Sequence, residues 1–241
     1  MSIRFENVDI IFDNISFLEK VSLEIPECKR VLLYGPSGSG KTSIFNVLCG
    51  LNQPHNADAR TYWYDYSVTD LNEANKKRYQ YISLIYSNFF YMQTLSVEEN
   101  IVLPAVFAKR NPSDIAQMID QLYTIFSFND DGQKSLNLKD LRNRKIGQLS
   151  NGQKELVGIA RALILDTPFI FADEMLRSYN SETEKAIWEK MMSSDLGIGS
   201  KRGFFLITHK EHLKNDHRID IIYAIQNNKL IHIPHYQEGD R

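Results

Sequence analysis

Apolar and polar residues alternate along residues 3–12 and again along 18–25, with Asp13-Asn14 between the two runs and Pro26-Glu27 after the second. Alternation at period two, bounded by turn formers, predicts an antiparallel N-terminal sheet. Residues 30–34 form a short apolar run that predicts a buried strand, and residues 43–48 continue as a helix closed by Gly50. In the polar stretch that follows, Tyr62-Trp63-Tyr64 predicts a strand, residues 71–79 a short charged helix and residues 81–86 another strand. Between 87 and 150 the pattern changes. Ile115, Ile119, Leu122, Tyr123 and Phe126 recur at helical spacing behind the start signal Asn111-Pro112-Ser113, and strand signals are scarce, which predicts a helical insertion. Leu156, Val157, Ile159, Ala160, Leu163 and Ile164 line one face of a strongly amphipathic helix. Residues 168–172 and 204–207 read as buried strands ending in polar residues, and 219–225 with 229–233 as a hairpin across Gln226-Asn227-Asn228.

The chemistry concentrates where these elements end. Gly35-Pro36-Ser37-Gly38-Ser39-Gly40-Lys41-Thr42 fits the phosphate-binding loop pattern G-x-x-x-x-G-K-[ST] at every fixed position, and Ser43 opens the helix behind it. Glycines let successive backbone N–H groups turn inward on phosphate oxygens, and the helix N-terminus adds partial positive charge. Lys41 then reaches the β- and γ-phosphates and the Thr42 hydroxyl holds Mg²⁺. The strand at 169–172 runs into Asp173 and Glu174: an aspartate there can hold Mg²⁺ and the next carboxylate can polarise an attacking water. Thr208-His209 ends the other strand with a group able to hydrogen-bond phosphate. Ser150 is placed as the N-cap of the amphipathic helix, in the stretch Leu149-Ser150-Asn151-Gly152-Gln153. Phe12 lies at the first turn, where its ring either stacks on a base or packs in the core.

Bulk properties narrow the partners. Lys and Arg number 28 against 30 Asp and Glu, for a formal net charge of −2, and no long basic cluster stands out, so nucleic acid is not expected as a partner. The two cysteines, Cys28 and Cys49, lack metal-ligand spacing and suit a reducing compartment. His232 and His235 have nothing nearby to complete a metal site. Charges in the first six residues and the lack of any run of eighteen apolar residues predict a chain that reaches a membrane only through a partner.

The order of motifs, Gly35 to Thr42, then Leu149 to Gln153 with Ala160-Arg161-Ala162-Leu163, then Phe169 to Glu174, then His209, resembles the nucleotide-binding subunit of an ATP-binding cassette (ABC) transporter over essentially the whole chain. The stretch from Leu95 to Pro104 is similar to the lipoprotein-release and macrolide-export branch. The resemblance implies an α/β fold of the P-loop NTPase, ABC ATPase type: a RecA-like core with an N-terminal antiparallel β subdomain (1–86 and 159–241) and a helical subdomain (87–158), within one domain spanning 1–241. It implies a head-to-tail dimer, of the chain with itself or with a related ATPase, in which ATP lies between the phosphate loop of one subunit and the helix start of the other. Ser150, Gly152 and Gln153 would then meet the γ-phosphate across the interface, and Phe12 would stack on adenine. Asp173 would serve Mg²⁺, Glu174 would act as base and His209 would read the γ-phosphate. Membrane permease subunits would dock beside residues 87–104, with Phe89 and Tyr91 exposed to them, and the subunit would sit on the cytoplasmic face of the membrane.

Several positions depart from the family pattern. Its glutamine after the strand at 81–86 falls on Ser87, with Asn88 as a substitute, the first glycine of its signature falls on Asn151, and Leu156 stands where arginine is usual. Met175 replaces a proline and Asn180 an aspartate. Lys41, Asp173, Glu174 and His209 are all in place, so the expectation is an ATPase, slowed or differently coupled. Two alternatives stay open: a cassette that signals mechanically to a membrane complex without moving a solute, and a soluble cytosolic ABC ATPase.

Overall fold

The structure, a computed structural model, describes residues 1–12, 15–86, 90–128 and 136–233. In chain order the elements are β1 (Ser2–Phe12), β2 (Ile15–Pro26), β3 (Arg30–Tyr34), α1 (Lys41–Leu48), β4 (Arg60–Trp63), β5 (Tyr66–Ser67), α2 (Leu71–Lys77) and β6 (Ile82–Ile85). There follow α3 (Val97–Phe107), α4 (Pro112–Ile125), β7 (Ser127–Phe128), β8 (Leu136–Asn137), α5 (Leu138–Leu141), α6 (Asn151–Leu163), β9 (Phe169–Asp173) and α7 (Ser181–Met191). The chain closes with β10 (Gly203–Thr208), β11 (Ile221–Gln226) and β12 (Lys229–Ile233). These elements form two compact units.

The first unit comprises Met1–Ile82, Thr167–Glu174 and the chain from Gly197. It holds an antiparallel sheet ordered β2-β1-β4-β5. Ile3 pairs with Ile25 and Phe5 with Leu23, all buried, while Glu24 points to solvent, so the alternation read from the sequence becomes one covered face and one wet face. Its other sheet places β3 between β11 and β10, and β10 between β3 and β9, all parallel, with β12 antiparallel on the outer side of β11. Every residue of β9 and β10 is buried, which is why both segments are apolar up to the Asp173 and Thr208 that end them. Phe45 of α1 packs with Phe171, which in turn meets the ring of Phe205 edge-on, joining α1 to the two strands. The hairpin between β11 and β12 turns on Asn227 and Asn228, both left-handed (φ +50° and +56°), as asparagine readily allows.

The second unit comprises Ser83–Asp166 and Met175–Leu196 and contains α3 to α7. Ser96 caps α3 in a box with Glu99, Asn111 caps α4 with Pro112 in its first turn, and Asn180 caps α7 by accepting from Thr183 N–H at 2.8 Å. Two features escape the hydrophobic pattern. A two-residue pairing of β7 with β8 sits inside the segment read as helical, too short for periodicity to register. Helix α7 has only Ile187, Trp188 and Met191 buried, a stripe too sparse to announce itself.

Candidate functional site

The register of the parallel strands sets up the site in the first unit. Thr208 pairs with Tyr34 and Ile207 with Asp173, so β3, β10 and β9 end level with one another. The carboxyl edge of such a sheet is where a ligand crevice forms. From β3 the chain enters the loop Gly35–Gly40. Gly38 and Gly40 take left-handed conformations (φ +78° and +92°), which only glycine adopts without strain, and they turn the loop back into α1. Gly40 is the N-cap and offers no side chain, so the N–H groups of the first turn depend on an outside acceptor. Pro36, Ser37 and Gly38 are exposed, and Gly35 is buried. The Ser39 hydroxyl oxygen is buried without a hydrogen-bond partner among the described residues. Thr42 is exposed and Ser43 half-buried.

Lys41 is only 5% exposed. Its ammonium donates to the carbonyls of Gly35 (2.9 Å) and Pro36 (2.7 Å). Burial draws its pKa below the ordinary lysine value, and the carboxylates of Glu174 and Asp173 act against that shift. Asp173 is the buried last residue of β9. Glu174 follows in a left-handed backbone (φ +47°), a conformation that costs an L residue roughly 1–3 kcal/mol, and its N–H is tied to Ile207 O at 3.0 Å. That twist turns the carboxylate out of the strand's alternation, and Glu174 Oε1 lies 3.0 Å from His209 Nδ1. A carboxylate only accepts, so Nδ1 carries the proton of this bond. The structure thus brings the phosphate loop, Lys41, Asp173, Glu174 and His209 to one sheet edge.

The donor set suits a hard cation. Asp173 and Thr42 offer oxygens, and no group of three or more His, Cys, Asp and Glu side chains able to hold a metal occurs among the described residues, so nucleotide oxygens and water would complete any Mg²⁺ shell. His232 instead packs on the ring of Tyr223, 5.5 Å between centroids, and His235 lies outside the described residues.

Ser150, Gly152 and Gln153 belong to the second unit, at the start of α6. Ser150 Oγ accepts from Gln153 N–H at 3.3 Å, and Gln153 Oε1 accepts from Ser150 N–H at 3.1 Å. The hydroxyl accepts in this box and keeps its own O–H to donate. Asn151, exposed, occupies the first helical position. Gly152 is covered by Tyr179, whose hydroxyl donates to the Gly152 carbonyl. A Cβ on residue 152 would lie 2.9 Å from Tyr179 Cε1, so glycine is required by close approach. Glu155, 8% exposed, accepts from the N–H groups of Arg177 and Ser178, both at 3.0 Å. Neither Glu155 nor Tyr179 emerges from sequence reasoning, because their partners are backbone groups more than twenty residues away.

One expectation is corrected. Tyr91 is not an exposed docking residue: it is half-buried, with its hydroxyl donating to Lys154 O at 2.5 Å. The apolar side chains that do face solvent nearby are Phe90 and Met92, 90% and 53% exposed. Phe12 ends β1, but its side chain lies outside the described residues, as do Ser87, Asn88 and Phe89. Met175 and Leu176, after Glu174, are buried. Among the described residues no helix is long and apolar enough to cross a membrane.

Comparison with known proteins adds three findings. The sequence model of the family described as ABC transporter matches residues 18–177. The lipoprotein-releasing system ATP-binding protein LolD of Francisella tularensis subsp. holarctica is 28% identical over 220 residues, covering 90% of this chain and 88% of that protein. The macrolide export ATP-binding/permease protein MacB of Campylobacter jejuni is 36% identical over 171 residues, and the sulfate/thiosulfate import ATP-binding protein CysA of Synechocystis is 25% identical over 213 residues. Those alignments span 25% of MacB and 54% of CysA, so this chain matches only a part of each. Among solved structures, the dimeric ATP-binding cassette MJ0796 bound to ADP and Pi superposes with a TM-score of 0.80, covering 98% of this chain and 99% of that one at 23% identity, a likeness of fold.

Proposed function

The chain belongs to the ABC transporter family as an ATP-binding cassette, and from that premise we propose that it hydrolyses ATP in a closed pair of cassettes and drives membrane permease subunits. The observation that carries this reading is the meeting of Lys41, Asp173, Glu174 and His209 at the level ends of β3, β9 and β10. Phosphate oxygens take the place of the Gly35 and Pro36 carbonyls as acceptors for Lys41, and the first-turn N–H groups of α1 complete the cradle, to which Ser39 and Ser43 also belong. Thr42 and Asp173 would hold Mg²⁺, which would offset the charge of the phosphate oxygens. Glu174 accepts the proton of the attacking water, and His209, bonded to that carboxylate, fixes its orientation and reaches the γ-phosphate. Ser150, Gly152 and Gln153 serve the nucleotide of the other cassette, where the open end of α6 adds its positive potential. Phe12 stacks on the adenine.

Permease subunits contact the segment bearing Phe90 and Met92, which would hold the cassette at the membrane surface as a peripheral subunit. The relatives' names span import, lipoprotein release and macrolide export, so the reading names no cargo.

The test compares Mg-ATP turnover of the full chain with that of Lys41→Ala and Glu174→Gln. Loss of a general base lowers turnover by about 10²–10⁴-fold while nucleotide binding persists, so Glu174→Gln should associate with itself in ATP more strongly than the unaltered chain. Turnover of the unaltered chain no higher than that of Lys41→Ala overturns the reading.

A further inference from the structure

Two tyrosine hydroxyls from separate segments grip the first turns of α6. Tyr91 donates to Lys154 O, and Tyr179 donates to Gly152 O. Between them Glu155 fastens the backbone of Arg177 and Ser178. On the Tyr91 side, Arg161 Nη1 donates to Phe90 O at 2.5 Å, and Asn100 bonds both the N–H (2.9 Å) and the carbonyl (3.1 Å) of Met92. The pieces on either side of α6 are therefore fastened to it at their backbones. Burial pushes the hydroxyls of Tyr91 and Tyr179 up in pKa, so both stay protonated and able to donate at neutral pH.

The carbonyls they bond lie inside α6, where each already faces the N–H four residues on. The hydroxyls are second donors to those oxygens, so the helix would close its own hydrogen bonds without them. What they add is direction: rotation or fraying of the first turn has to break them. The fit of Gly152 against the Tyr179 ring adds a steric stop on the same turn.

We propose that Tyr91 and Tyr179 are positioning residues for ATP-driven closure, holding the Ser150, Gly152 and Gln153 end of α6 in the geometry it needs to meet the nucleotide bound by a second cassette. The inference rests on the two-cassette reading above. Order established before association need not be imposed during it, so the benefit falls on closure and not on the chain's own phosphate loop. Each bond is made before association, so removing it while keeping the ring weakens closure only as far as the first turn loosens, by at most roughly two- to twelve-fold.

The experiment uses the full chain with Tyr179→Phe and, separately, Tyr91→Phe. Turnover per subunit at saturating Mg-ATP is followed against protein concentration, and binding of a fluorescent ATP analogue is measured at concentrations where subunits are single. The expected result is a several-fold rise in the half-maximal protein concentration for each variant, with the plateau rate and the single-subunit affinity within about twofold of the unaltered chain. A lowered Tm with an unmoved half-maximal concentration shows a purely structural role and overturns the inference. So does a parallel loss of nucleotide affinity in single subunits. If turnover per subunit of the unaltered chain does not depend on concentration, the two-cassette reading itself fails, before any variant is compared, and the inference falls with it.

Discussion

Replacing Glu155 tests how the segment after Glu174 is held. In the native chain one carboxylate, 8% exposed, accepts from two backbone N–H groups, those of Arg177 and Ser178, at 3.0 Å each. Glu155→Gln preserves size but offers one oxygen and one NH₂, so whichever way the amide turns, one N–H faces another donor. A hydrogen bond to a charged group is worth about 1.5–3 kcal/mol, which puts the loss near 2 kcal/mol for Glu155→Gln. Glu155→Ala strips both acceptors and leaves a void, with water reaching the outer N–H, for about 2–4 kcal/mol. In a chain of this length each kcal/mol moves Tm by roughly 2–4 °C, so the alanine variant should melt about 4–16 °C lower. Urea unfolding gives the free energies, and hydrogen exchange gives the location: the amides of Arg177 and Ser178 should lose protection ahead of β9. Glu155→Gln within 0.5 kcal/mol of the native chain, or unchanged protection at those two amides, would refute the reasoning.

Two further outcomes follow from separate parts of the structure. The folded pKa of Lys41 lies below its unfolded value of 10.5, so between the two the unfolded chain binds more protons and stability rises with pH; Lys41→Met should remove that rise, which shows as the difference between the two chains' stability curves as pH approaches 10.5, and parallel curves there would count against the burial argument. Phe90→Ser with Met92→Ser changes only exposed side chains, so ATP turnover of the chain alone should stay within about twofold, while recovery of a multi-span membrane protein with Glu174→Gln from detergent-solubilised membranes should fall sharply, and undiminished recovery would sink the docking assignment.

Elements whose role is local were legible in the sequence. The phosphate loop announces itself because glycine, lysine and threonine are each demanded at a fixed position by backbone conformation or charge, and β9 and β10 because a strand covered on both faces has to be apolar throughout. The cap at Ser150 likewise acts within three residues. What stayed hidden depends on tertiary partners. Tyr91 reads as a surface aromatic until Lys154 O is found at the end of its hydroxyl, and Glu155 reads as one more helix charge until the turn at 177–178 arrives beneath it. The left-handed turn at Glu174 has no signal in the residue itself, since glutamate does not favour that conformation, and its N–H is bonded to Ile207 O on another strand.

The position of β10 has a consequence for how the protein is made. The strand inserts between β3 and β9, yet β10 begins at Gly203 and β3 ends at Tyr34. At about 5–20 residues per second, a ribosome finishes the phosphate loop roughly ten to thirty seconds before it supplies the strand on which that loop's sheet depends. Until then Val31, Leu32 and Leu33, fully buried in the finished sheet, wait without the neighbours that will cover them. During that interval a nascent chain carries the whole phosphate-binding motif without the framework to use it, and its exposed apolar strand is the surface a chaperone has most reason to meet.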